Sequence, residues 1–165
     1  MLRYNREVQF ALREYREDDF LQLWRIDQDC FTPGIAYSKL ELKTYIRRRN
    51  SFTVVAEETG GDRARSILGF LVAESGRGMG HIITIDVVAK ARRLGVGREL
   101  LDRAEDRLRA AGARAVVLET AVDNHPALAF YKRQAYFLVK TIPRYYSNGV
   151  DALVLKKDLS VPEAG

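Results

Sequence analysis

Long apolar runs are missing from this 165-residue chain. The most continuous ones, such as Ala115-Val116-Val117-Leu118, fall far short of the ~20 residues that a membrane-spanning helix needs, so no membrane partner is expected. Residues 1–7 show no apolar stretch followed by a small-residue cleavage site, and no secretory leader is expected there. Cysteine is nearly absent. With Cys30 alone no internal disulfide can form, a reducing, cytoplasmic setting is expected, and a lone thiol at an apolar helix end reads as packing. The two histidines, His81 and His125, have no metal-ligand partners at useful spacing. Both read as structural or surface residues, and no metal is expected. Repeats and low-complexity linkers are lacking too, so residues 1–165 read as one domain with a core at about residues 8–159.

What is present describes a soluble globular protein, with 47% apolar and 30% charged residues. A chain of this length can bury a substantial core. The net charge of +5 calls for an anionic ligand or partner. Nucleic acid is disfavoured, because Lys and Arg alternate with Glu and Asp along most of the chain and no nucleic-acid motif is present. Basic residues gather locally at Arg47-Arg48-Arg49 and at Lys90, Arg92, Arg93 and Arg98. The second cluster coincides with two glycines.

Along the chain, residues 8–12 read as a strand and Asp18 as the cap of a helix that Thr32-Pro33-Gly34 breaks. Ser38 and Glu41 form a capping box that opens a second helix through about residue 48. Residues 51–57, 66–74 and 81–88 form an antiparallel meander, with a turn at Thr59-Gly60-Gly61-Asp62. Val96, Leu100, Leu101, Ala104 and Leu108 then line one face of a long helix, with Gly112 placed for its C-terminal cap. Residues 115–119 form a buried strand, Pro126 opens a short helix, and strands at 136–141 and 150–156 follow. The result is an α/β fold, a mixed, mostly antiparallel twisted sheet flanked by helices.

Between the third meander strand and the long helix lies Arg92-Arg93-Leu94-Gly95-Val96-Gly97-Arg98. Glycines let backbone approach a ligand, the helix N-terminus adds partial positive charge, and the arginines add full charge; together they suit a diphosphate. A dinucleotide fingerprint fails, because its third glycine would fall at Leu100. A Walker loop fails for want of the Gly-Lys-Ser/Thr ending.

This stretch resembles the pyrophosphate loop R/Q-x-x-G-x-G/A of the GNAT superfamily of N-acetyltransferases. Leu118-Glu119-Thr120, Asp123-Asn124, Ala127 to Tyr131, Arg144-Tyr145-Tyr146 and Asp151-Ala152 are similar to segments of its ribosomal-protein-alanine and N-terminal acetyltransferase branch. The resemblance implies a GNAT fold and acetyl-CoA as acetyl donor, held by Val87, Val88, Arg92, Arg93, Gly95, Val96, Gly97, Arg98, Asn124 and Tyr131. It implies that the strand at residues 86–88 pairs with the pantetheine arm. A backbone N–H at Val87 or Val88 would face the oxyanion, and Tyr131 would supply a proton to the thiolate. Glu119, at a strand end, is the candidate base acting through water. Tyr37, Glu119, Tyr145 and Tyr146 are the candidate acceptor contacts.

The chain departs from the pattern at four places. Ala89 stands where many members have proline, Ala121 where an arginine is common, and Ala135-Tyr136 where the branch has Gly-Phe. Only Tyr37-Ser38 represents an early Pro-Trp-Ser. The expected reaction is direct acetyl transfer to a primary amine, foremost a protein or peptide N-terminus, by a monomer or homodimer. The alternatives are a small amine such as a polyamine, amino acid or aminoglycoside, and a non-catalytic CoA- or nucleic-acid-binding module.

Overall fold

The computed structural model describes residues 8–60 and 65–160. Gly61 and Asp62 of the expected turn, and the first seven residues, lie outside them. Seven strands form one sheet: β1 (Phe10–Glu14), β2 (Ser51–Glu58), β3 (Ile67–Gly76), β4 (Met79–Val87), β5 (Ala115–Ala121), β6 (Phe137–Ile142) and β7 (Ala152–Asp158). Their order across the sheet is β1-β2-β3-β4-β5-β7-β6. All neighbours are antiparallel except β4 and β5, which run parallel. Four α-helices cover the sheet: α1 (Phe20–Cys30), α2 (Lys39–Arg47), α3 (Val96–Ala110) and α4 (His125–Arg133). No helix of the described residues is long and apolar enough to cross a membrane.

Strand alternation divides the core in two. Leu71, Ala73, Ile82, Val116 and Leu118 face α3, whose Leu100, Leu101 and Leu108 are fully buried. Val55, Phe70 and Val72 face the other way, toward Phe20, Leu23 and Ile26 of α1 and Leu42 of α2. Each fully buried leucine contributes about 2 kcal/mol through removal of apolar surface from water.

Element ends follow local chemistry. The capping box forms, with Ser38 Oγ accepting from Glu41 N–H at 3.1 Å and Glu41 Oε1 from Ser38 N–H at 3.0 Å. Gly112, at φ +90°, follows the end of α3, and Asn124 Oδ1 accepts from Ala127 N–H at 3.3 Å to cap α4. Asp18 is not a cap. A single 3-10 turn precedes α1, and the neighbouring Asp19 does the local bonding, taking Arg16 N–H at 2.7 Å and the Arg13 guanidinium at 2.8 and 2.9 Å.

One feature of the sheet positions everything that follows. Strands β4 and β5 pair only from Met79 opposite Ala115 to His81 opposite Val117. Beyond His81 they diverge. Ile83 is the extra residue of a bulge on β4, between Thr84 opposite Val72 and Ile82 opposite Ala73, and a bulge adds twist. The outer halves of both strands therefore border an open wedge.

Candidate active site

The wall of the wedge on the β4 side ends in backbone with free polar groups. Val88 N–H donates to Leu68 O at 2.9 Å. By the alternation of an antiparallel ladder, Val87 turns its own N–H and C=O away from β3, into the wedge. Val87 O accepts from Arg92 Nε at 3.3 Å and from the Cys30 thiol at 3.4 Å. Val88 cannot serve as the oxyanion donor expected of it: its N–H is spent on Leu68, and its carbonyl accepts from Ala91 N–H at 2.9 Å. Val87 alone of the two offers an N–H there.

The loop that follows delivers the N-terminus of α3 to the same edge. Gly95, at φ +86°, is the N-cap and has no side chain to accept from the first turn, so those N–H groups face outward unpartnered by a cap. Arg93 adopts φ +65°, and Arg92, Arg93 and Arg98 are exposed around the turn. Val96 puts its side chain into the core, so it can meet a ligand only through its backbone. A Cβ on Gly97 would lie 3.5 Å from Phe130 and 3.7 Å from Val87. Those are ordinary contacts, so nothing within the protein demands glycine there.

On the β5 wall, Leu118 faces α3 and Glu119 consequently faces the opposite side, toward α1 and α2. Glu119 Oε2 lies 2.7 Å from His81 Nε2. The other ring nitrogen, Nδ1, is 3.6 Å from Glu74 Oε1, and Arg48 Nη1 holds Glu74 at 3.2 Å. Burial alone would lower the His81 pKa; the hydrogen bond and charge of Glu119, with Glu74 behind, overcome it and raise it. His81 therefore stands between two carboxylates, which favour its protonated ring. This corrects the reading of His81 as structural or surface. A His and a Glu at 81 and 119 carry no spacing signal, and only the parallel register of β4 and β5 brings them together.

Four tyrosines stand near this group. Tyr145 and Tyr146 pack edge to face at 4.9 Å, and the Glu119 charge acts on both, adding to burial in raising their pKa values. Tyr37 packs on Tyr45 at 5.3 Å and donates its hydroxyl to Ile83 O, at the bulge, at 3.3 Å. Ser147 Oγ donates to Gly34 O at 3.0 Å, tying the segment after α1 to the β6–β7 segment. From the other face, Tyr131 of α4 is buried against Phe130 and Tyr136, and burial raises its pKa, with the Asp86 charge adding to the effect. Tyr37, Tyr145, Tyr146 and Glu119 thus interact on one side of the sheet, and Arg92 meets Val87 at the end of β4. Asn124 engages its carboxamide oxygen in capping α4.

A profile of the Acetyltransferase (GNAT) family matches residues 19–136. The chain belongs to the GNAT acetyltransferase family. It is 32% identical to N-alpha-acetyltransferase 30 of Schizosaccharomyces pombe, over 81% of this chain and 86% of that protein. It is 36% identical to an uncharacterised N-acetyltransferase of Methanocaldococcus jannaschii, over 88% and 90% of the two chains. Its fold superposes on the crystal structure of Ard1 from Thermoplasma volcanium with a TM-score of 0.81 and 27% identity, covering 92% and 98% of the two chains.

This GNAT protein is an acetyl-CoA-dependent N-acetyltransferase. The residues fit the donor. An uncapped helix N-terminus among three arginines suits a diphosphate, and the outward Val87 N–H suits an amide-bearing arm laid along β4. Among the described residues no cluster of three His, Cys, Asp or Glu side chains could hold a metal ion. Cys30 is no nucleophile, because burial pushes its thiol up to about 11.

Proposed function

We propose that this GNAT enzyme acetylates the α-amine at the N-terminus of a protein or peptide. The observation that carries the reading is the Glu74–His81–Glu119 series at the apex of the wedge, with Tyr37 and the Tyr145-Tyr146 pair beside it. The Ser147–Gly34 bridge supports end-on entry between the two loops, which a slender chain end can make. Relatives named as N-alpha-acetyltransferases support the acceptor class.

Acetyl-CoA supplies an acetyl group activated as a thioester. Arg92, Arg93, Arg98, Gly95 and the first-turn N–H groups of Val96 and Gly97 would hold its diphosphate. Val87 would orient the arm, and its N–H would face the acyl oxygen as a preorganised donor. Glu119 takes a proton from the acceptor ammonium, directly or through one water. His81 orients Glu119 through the 2.7 Å contact and, in its neutral form with hydrogen on Nδ1, offers the proton a way out: Nε2 receives it from Glu119 as Nδ1 releases one toward Glu74 and solvent. Tyr131, whose raised pKa keeps it protonated, holds the proton that the departing sulfur needs. Tyr37, Tyr145 and Tyr146 line the acceptor's approach. The reading includes a cytoplasmic setting, supported by the single cysteine, with the enzyme acting as a monomer or homodimer.

Thiol release from acetyl-CoA tests the acceptor. Peptides with a free α-amine should be turned over. The same peptides blocked at the α-amine but carrying lysine should not, and neither should polyamines. Preference for either of the latter would overturn the assignment.

A further inference from the structure

Two aspartates unused by the proposed chemistry meet inside the protein. Asp27, in the last turn of α1, and Asp86, next to Val87 on β4, are 0% and 1% exposed. Asp27 Oδ2 accepts from Tyr37 N–H at 2.7 Å, and Asp86 Oδ1 accepts from Thr84 Oγ1 at 2.5 Å. The other oxygen of each, Asp27 Oδ1 and Asp86 Oδ2, is buried without any donor. The two carboxyls interact with each other where the end of α1 meets the end of β4, an approach marked by the Cys30 thiol on Val87 O at 3.4 Å. Two ionised carboxylates side by side, each with a buried oxygen that no donor reaches, are strongly disfavoured, and one proton between them removes both the repulsion and the orphaned oxygens.

The surroundings require the same. Glu41 of α2 and the Asp27–Asp86 pair itself supply negative charge, while the Cys30 thiol of α1 and the Tyr131 hydroxyl of α4 are neutral neighbours. The Arg92 guanidinium, at this end of β4, is spent on Cys30 Sγ at 3.8 Å and on Val87 O. Burial raises both carboxyls; the Asp27 charge adds to the rise at Asp86, the more strongly raised, whereas at Asp27 the contacts with Asp86 and Tyr37 N–H work against burial and the Glu41 charge works with it. Paired acids in a dry site retain a proton between them for this reason.

The pair also joins two parts that the reaction needs in register. Asp27 fixes the backbone of Tyr37, whose carbonyl accepts from Trp24 Nε1 at 3.2 Å and Gln28 Nε2 at 2.7 Å and whose hydroxyl reaches β4. Asp86 precedes the residue that lends its N–H to the wedge. We propose that Asp27 and Asp86 share one proton and act as positioning residues, locking the acceptor-side segment at Tyr37 to the acyl-side end of β4. What they position rests on the function proposed above; the shared proton does not.

Infrared difference spectroscopy of the wild-type enzyme tests the proton. A carbonyl band of a buried, protonated carboxyl is expected at neutral pH, and it should disappear in Asp86→Asn. Absence of the band in the wild type would overturn the shared proton whether or not any variant folds. Kinetics test the positioning. Asp27→Asn keeps an acceptor for Tyr37 N–H and can donate to Asp86, so acceptor KM should stay within about threefold of wild type. Asp27→Leu can do neither, and acceptor KM should rise about tenfold, the scale of one lost buried hydrogen bond, with acetyl-CoA affinity within about twofold. An unchanged acceptor KM in Asp27→Leu would overturn the positioning role. If that variant does not fold, Asp27→Ser with the same readout replaces it. Failure to acetylate any amine would instead reject the proposed function, leaving the infrared result standing.

Discussion

Glu119 Oε2 and His81 Nε2 lie 2.7 Å apart across the point where β4 and β5 stop pairing. Glu119→Gln preserves shape and removes basicity, so kcat should fall at neutral pH by roughly 10²-fold or more. The deficit should shrink as pH approaches the acceptor's own pKa, ~8 for an α-amine and ~10.4 for lysine. A kcat–pH profile of wild type and variant with an N-terminal peptide checks this. A constant offset at every pH would show that Glu119 is not the base.

The same pair makes stability depend on pH. The folded His81 pKa is raised above its unfolded value of ~6.5. The stabilisation is therefore fully present below about pH 6.5 and is lost as pH rises through the folded value. Melting temperature measured across that range should decline in wild type, and His81→Gln should flatten the decline.

Gly97 separates folding from ligand binding. Because a Cβ there meets only ordinary contacts, Gly97→Ala should leave the melting temperature within a few degrees of wild type or raise it. Calorimetry should show acetyl-CoA affinity falling about tenfold or more as the methyl enters the space next to the diphosphate. Arg92→Glu should cost ~2 kcal/mol or more of binding, the scale of a charge-assisted hydrogen bond reversed in sign.

Tyr131→Phe removes a hydroxyl while keeping the ring that packs on Phe130 and Tyr136. Acetyl-CoA affinity should stay close to wild type while steady-state turnover drops by ~10²-fold. Retained turnover would leave Tyr131 as packing alone.

Ala135 and Tyr136 carry a stability prediction. Ala135 sits at φ +70°, a left-handed conformation that costs a residue with a Cβ about 1 kcal/mol. Glycine in its place should therefore stabilise the protein by about that amount in chemical denaturation. Tyr136 uses its hydroxyl to donate to buried Glu105 Oε2 at 2.8 Å, while Lys157 Nζ reaches Oε1 at 2.7 Å. Tyr136→Phe should destabilise by ~1 to 2 kcal/mol, because Glu105 then loses a buried donor.

The glycine turn that opens α3, the Ser38–Glu41 box and the Asn124 cap were legible in the sequence because each is closed by residues within a few positions of one another. The strands were legible too, shifted by one or two residues at their ends, where side-chain pattern fades before backbone pairing does. Three features were not legible, each for a reason of register. His81 and Glu119 meet only through the parallel pairing of β4 and β5. Asp27 and Asp86 meet only where α1 crosses the sheet. The choice of Val87 over Val88 as the outward amide depends on which of two adjacent residues faces β3, and both are the same amino acid. The replacement of Gly-Phe by Ala135-Tyr136 was visible as a departure, but its meaning lay in Glu105 and Lys157, far away in the chain.

The short pairing between β4 and β5 has a mechanical consequence. The sheet consists of a four-strand half and a three-strand half joined along its backbone by three opposed positions, with α3 packed behind. On the proposed placement, a donor arm laid along Val87 would act as a missing half-strand, making the substrate a structural member of the sheet while it is bound. Saturating acetyl-CoA should then slow amide hydrogen exchange at Val87 and in the outer halves of β4 and β5 together. At 100 times its Kd it should also stabilise the whole fold by ~2.7 kcal/mol. Release of CoA should return the exchange rates of both halves to their ligand-free values.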